Sequence, residues 1–101
     1  MDMKPGLKLR STADATEVVV VRAPAAPVEL TCGGRPMVPA TEAVDAAGVM
    51  PGHEGGTQLG KRYTDDEAGL EVLCTKPGEG GLECGGRALG LKSAKPLPSS
   101  D

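Results

Sequence analysis

The run Cys32-Gly33-Gly34-Arg35 returns later in the chain as Cys84-Gly85-Gly86-Arg87. Sliding the sequence by about 52 positions aligns the flanking residues without gaps: Leu7 meets Leu59, Arg10 meets Arg62, Thr12 meets Thr64, Asp14 meets Asp66, Val20 meets Val72 and Leu30 meets Leu82. This makes about ten identities over roughly 31 aligned pairs. Apolar exchanges extend the match, with Val18 opposite Leu70, Val21 opposite Leu73 and Met37 opposite Leu89.

Each copy reads as β. Residues 16–22 are rich in β-branched side chains, which suit a pleated surface and lose rotamer freedom in a helix. The unbroken valine run at 18–21 predicts a strand covered on both faces. Its counterpart spans residues 70–75. Pro- and Gly-bearing turns follow at 23–27 and 76–81, then short strands at 28–32 and 82–84. The unit is strand, turn, strand, Gly-Gly turn and extended tail. The fold class expected is all-β, with two short units at residues 1–38 and 59–92.

Between them, residues 39–58 hold Pro, Gly and acidic side chains and read as a flexible linker. Within it, residues 42–47 could form one helical turn behind a Thr41 N-cap, too short to be stable alone. Gly52 to Gly56 is expected to be its most mobile stretch. Residues 93–101 read as a frayed or partner-docked tail.

Phe and Trp are absent and Tyr63 is the single aromatic residue. The core must therefore rest on Val, Leu, Ala and Met, without the large areas that aromatics bury. Such a core is expected to be marginal, and small domains of this kind often lean on a metal, a disulfide or a partner. Gly 15 and Pro 9 make the chain loop-rich, but its apolar residues cluster, which argues against disorder.

A net charge of −3, no Lys/Arg cluster and no aromatic stacking platform give nucleic-acid binding no support. The longest aliphatic run is far below the roughly 20 residues that span a bilayer, and residues 1–10 lack the apolar stretch of a secretory leader. Three cysteines, an odd count, do not form a secreted disulfide framework. A cytoplasmic location is expected.

The second copy reads Tyr63-Thr-Asp-Asp-Glu-Ala-Gly69, then Leu70-Glu-Val-Leu73, then Gly78-Glu-Gly-Gly-Leu-Glu-Cys84-Gly-Gly86. The first ends Leu30-Thr-Cys32-Gly-Gly34-Arg-Pro-Met37. These stretches resemble the desulforedoxin-like module, also found at the N-terminus of desulfoferrodoxins and related to rubredoxin-like folds. The family pattern is Tyr-x-Cys-x-x-Cys-Gly, a Val-rich strand, a Gly-rich turn and Leu-x-Cys-Cys-Gly-x-x-Met, its four cysteines holding one iron or zinc. Carried over residue by residue, the first ligand pair falls on Asp65 and Ala68 in the second copy and on Ala13 and Thr16 in the first. The second pair keeps Cys84 and Cys32, with Gly85 and Gly33 in place of their neighbours. One thiolate per copy cannot close a Cys₄ site. The resemblance thus implies a degenerate metal scaffold and, because such modules pair as dimers, a dimer fused into one chain.

Other constellations compete. Cys32, His53, Cys74 and Cys84 have the composition of a Cys₃His zinc site, but no Cys-x-x-Cys spacing supports it. The competing reading makes Cys32 and Cys84 small, unreactive residues before a turn. Cys74 and Cys84 could form a disulfide if their strands are antiparallel neighbours, against the reducing conditions of the cytosol. The turns Cys32-Gly33-Gly34-Arg35 and Cys84-Gly85-Gly86-Arg87 could cradle an anion with backbone N–H groups, although such turns more often only reverse the chain. The acidic run Asp65, Asp66 and Glu67 lacks EF-hand spacing and reads as a solvated loop.

For catalysis, His53 is the only histidine and nothing in the sequence orients it. No enzyme and no cofactor are expected. The sequence is read as a non-catalytic accessory or structural subunit that binds a larger, enzymatic protein. The alternative is a small zinc, iron or redox protein using Cys32, Cys74 and Cys84.

Overall fold

In the computed structural model, residues 3–91 are described. Ten short strands follow in chain order: β1 (Lys8–Arg10), β2 (Glu17–Arg22), β3 (Leu30–Cys32), β4 (Arg35–Pro36), β5 (Val38–Pro39), β6 (Arg62–Asp65), β7 (Leu70–Lys76), β8 (Leu82–Cys84), β9 (Arg87–Ala88) and β10 (Gly90–Leu91). All pairings are antiparallel. Among the described residues there is no helix, and so none long and apolar enough to cross a membrane. The expected all-β class is observed.

The strands form two sheets, one ordered β10-β6-β7-β2-β1-β5 and the other β4-β3-β8-β9. Both sheets draw strands from both halves of the chain. They join through β2–β7 in the first sheet and β3–β8 in the second. Leu9, Val18, Val20, Tyr63, Leu70, Val72 and Cys74 of the first sheet meet Leu30, Cys32, Leu82 and Cys84 of the second in one apolar cluster, completed by Met37 and Leu89.

The valine run behaves differently from its sequence reading. Val18 and Val20 are buried, Val19 is half-buried and Val21 is 38% exposed. A central strand of a two-layer structure has a single covered face, and the pleat sends alternate side chains outward. A continuous apolar run does not distinguish this from a strand covered twice.

The β3–β4 and β8–β9 hairpins turn on two glycines each. Gly33 and Gly34 have φ of 64° and 83°, and Gly85 and Gly86 have 58° and 86°. Positive φ at both central residues is the requirement of a two-residue hairpin turn whose twist matches its strands. Cys32 therefore pairs with Arg35, and Cys84 with Arg87.

Residues 42–47, one candidate helical turn, contain no helix. The segment read as a linker is tied into the fold instead. Ala47 N–H donates to Thr12 O, Gly48 N–H to Ala13 O and Met50 N–H to Gly33 O. Further on, Gly81 N–H donates to His53 O, Gly56 N–H to Glu79 O, and Thr57 exchanges backbone hydrogen bonds with Gly78. The expected tail, residues 93–101, lies outside the described residues.

Candidate functional site

Several of the residues singled out in the sequence, Cys32, Asp65 and Cys84 among them, fall at two turns, each built from a β hairpin and a glycine turn. In the first, the Ser11 hydroxyl accepts hydrogen bonds from Ala13 N–H (2.9 Å) and Asp14 N–H (3.2 Å). In the second, Asp65 Oδ1 accepts from Glu67 N–H (3.0 Å) and Ala68 N–H (3.3 Å). A side-chain oxygen thus closes each turn by taking the amides two and three residues ahead, as short polar side chains do in such turns. The sequence alignment set Ala13 and Thr16 opposite Asp65 and Ala68, whereas the oxygens that close these turns belong to Ser11 and Asp65. The β2–β3 connection spans residues 23–29 and the β7–β8 connection residues 77–81.

The two thiols sit under these turns. Cys32 lies against Ser11, Thr16 and Thr57, and burial pushes its thiol above the ordinary value. Cys84 is raised by burial and by the neighbouring Asp65 carboxylate. Cys74 donates to Lys76 O from within β7 and is also raised by burial. All three cysteines are buried and free. Buried thiols held in the neutral form are poor nucleophiles and poor metal ligands. β7 and β8 lie in different sheets, so the strand adjacency that a Cys74–Cys84 disulfide required is not met.

His53 stands apart from the cysteines. Its Nδ1 lies 2.9 Å from Glu83 Oε2, and its ring covers Gly34. The structure does not gather Cys32, His53, Cys74 and Cys84. Among the described residues no three His, Cys, Asp or Glu side chains come together in a metal-holding group.

The anion-cradle reading meets a similar obstacle. Gly33 N–H donates to Gly81 O and Gly85 N–H to Glu29 O, each at 3.0 Å. The first amide of each glycine turn is thus committed to the opposite half of the chain.

Comparison with protein-family models, curated proteins and solved structures returned no match.

The charges around the second turn are paired. Arg87 Nη2 lies 2.8 Å from Asp65 Oδ2, and Arg87 Nη1 is 3.8 Å from Glu67. The Arg87 guanidinium, aided by the turn amide of Ala68, holds the Asp65 carboxyl below its usual range. At the first turn, burial opposes the charge of Asp14. Hydrogen bonds led by the one from Gly80 N–H outweigh it and lower the carboxyl. Sequence reasoning missed Ser11, Asp14 and Glu71. Serine in a hairpin loop and glutamate inside a strand have no distinctive spacing, and Glu71 is buried between Arg22 and Arg62 only because β7 is central.

What the two turns can do chemically is limited. They offer backbone hydrogen bonds, ion pairs and small side chains, with no exposed nucleophile among the cysteines. The surroundings differ, however. Ala13 and Gly33 are buried under residues 47–50, whereas Glu67, Gly85 and Gly86 are exposed.

Proposed function

We propose that this chain is a non-catalytic accessory or structural subunit in the cytoplasm, a tandem of two desulforedoxin-like units about a pseudo-two-fold axis, binding a larger, enzymatic protein through its surface. The carrying observation is the strand register. Glu17 pairs with Lys76 and Arg22 with Glu71, while Val18 pairs with Cys74 and Val20 with Val72. Advancing Glu17, Val18 and Arg22 by 54 positions gives Glu71, Val72 and Lys76, so each pair becomes its mate when its members are exchanged. In the second sheet Leu30 pairs with Cys84 and Cys32 with Leu82, and a shift of 52 relates them in the same way. Both irregularities in the β2–β7 ladder obey the rule, one on either side of Val19 opposite Leu73. Register is set by side-chain burial and bulges, so such agreement across two sheets supports duplication of one unit.

The turns support a scaffold without its former metal. An oxygen of Ser11 or Asp65 closes each turn by accepting two backbone amides, and a thiol, Cys32 or Cys84, is buried beside it. A core with one aromatic residue leaves room for stabilisation by assembly. β5, β10, β4 and β9 are the outermost strands of the two sheets, the positions at which strand addition would take place.

The test is isolation of the tagged full chain from its own cell, with mass spectrometry, light scattering and metal analysis. A stoichiometric larger partner is the expected result. A stable monomer that assembles with nothing would sink the proposal, and stoichiometric zinc or iron would favour the metal or redox alternative.

A further inference from the structure

Resting on that reading, we infer that the second glycine turn is the docking surface for an extended, basic segment of the partner protein. The chain supplies its own template for such an occupant. At the first turn, residues 47–50 run across the surface, with Ala47, Gly48 and Met50 N–H donating to Thr12, Ala13 and Gly33 O at 2.9, 2.8 and 2.9 Å. Arg35 Nε returns a hydrogen bond to Gly48 O at 2.8 Å. Val49 lies against Gly33, and Met50 against Gly34.

The matching acceptors at the second turn are the carbonyls of Asp66, Glu67 and Gly85, and no described residue donates to them. A Cβ added at Gly85 or Gly86 would meet nothing within 4 Å, whereas at Gly33 it would meet Ala13 and Val49 at 2.9 and 3.2 Å. Among the described residues, the same shape is thus filled once and open once. Leu91, 48% exposed, borders the open recess, which has a volume of about 440 Å³.

Charge decides what kind of segment fits. The recess beside the covered turn is balanced, with Asp14 and Glu17 facing Arg10 and Lys76. Around the open recess, Asp65 and Glu67 share the Arg87 guanidinium and Glu71 is held by Arg22 and Arg62, so the exposed Asp66, hydrogen-bonded to the Thr64 hydroxyl, has no cation beside it among the described residues. A partner segment carrying Lys or Arg beside a small, glycine-containing stretch would supply both the backbone donors and the missing positive charge.

The probe is a capped peptide, Lys-Ala-Ala-Gly-Val-Met-Lys, titrated into the full chain and followed by backbone amide NMR. Shifts confined to Asp66, Glu67, Gly85 and Gly86 are expected, with affinity falling about tenfold in the double variant Asp66→Lys/Glu67→Lys and unchanged in Glu42→Lys. No shift up to millimolar peptide, or shifts mapping elsewhere, would overturn the inference. So would shifts that arise only after residues 92–101 are deleted, since the chain's own end would then be the occupant. The same double variant, expressed in the native cell, separates this surface from the broader reading. A partner complex that survives the charge reversal overturns the docking surface and leaves the accessory role standing, whereas failure to find any complex removes the accessory role.

Discussion

Asp65 and Arg87 meet at 2.8 Å across the mouth of the second turn, where the other Asp65 oxygen holds the amides of Glu67 and Ala68. One carboxylate thereby fastens β6 to the β8–β9 hairpin. Its folded-state pKa is depressed, chiefly by Arg87, so its contribution to stability is present above the unfolded value and lost as pH falls through the folded one. Asp65→Asn should lower the melting temperature at neutral pH and weaken the acid-induced loss of stability. Thermal melts of both proteins from pH 7 to pH 2 check this, and parallel curves would contradict it.

The two glycine turns should respond unequally to alanine. Both Gly33 and Gly85 have positive φ, where a Cβ costs about 1 kcal/mol. Gly33→Ala must also displace Ala13 or Val49, while Gly85→Ala meets open space. Urea denaturation should give a loss of about 1 kcal/mol for Gly85→Ala and roughly 2–3 kcal/mol for Gly33→Ala. Equal losses would mean that residues 47–50 do not cover the first turn in solution.

Core and surface leucines offer a sharper contrast. Leu70 is fully buried between the sheets and Leu59 is 62% exposed. Leu70→Ala should cost about 2–5 kcal/mol, a large share of the stability of so small a domain. Leu59→Ala should change stability by less than about 0.5 kcal/mol in the same denaturation experiment.

The thiols should be slow to react in the native protein. Burial raises all three, and none is bonded to another. A chromogenic disulfide reagent at pH 8 should label them only as the fold opens, then count three thiols in denaturant. Rapid native labelling of Cys32 or Cys84 would show an accessible, reactive site at a glycine turn.

Much of the local structure was legible in the residues themselves. Val18 to Val21 called for a strand, Cys-Gly-Gly-Arg called for a tight reversal, and the four residues return at the same place in both β3–β4 and β8–β9. Met37 and Leu89, set opposite each other in the sequence, have amides that donate to Leu30 O and Leu82 O in turn. The oxygens that close the turns, on Ser11 and Asp65, do not lie at that fixed spacing, and the connections downstream of them differ in length, residues 23–29 against 77–81.

Composition and periodicity determined that this chain would be β, glycine-turned and poor in core volume, since side-chain branching and φ preference act within a few residues. Which valines are buried, which serine and aspartate close the turns, and that residues 47–50 cover one glycine turn while no described residue covers the other were decided only by tertiary structure. Those properties depend on contacts between residues far apart in the chain, such as Asp14 with Gly80 and His53 with Glu83. No local pattern encodes such contacts, because the free energy that selects them comes from desolvation and hydrogen bonding after the sheets have joined.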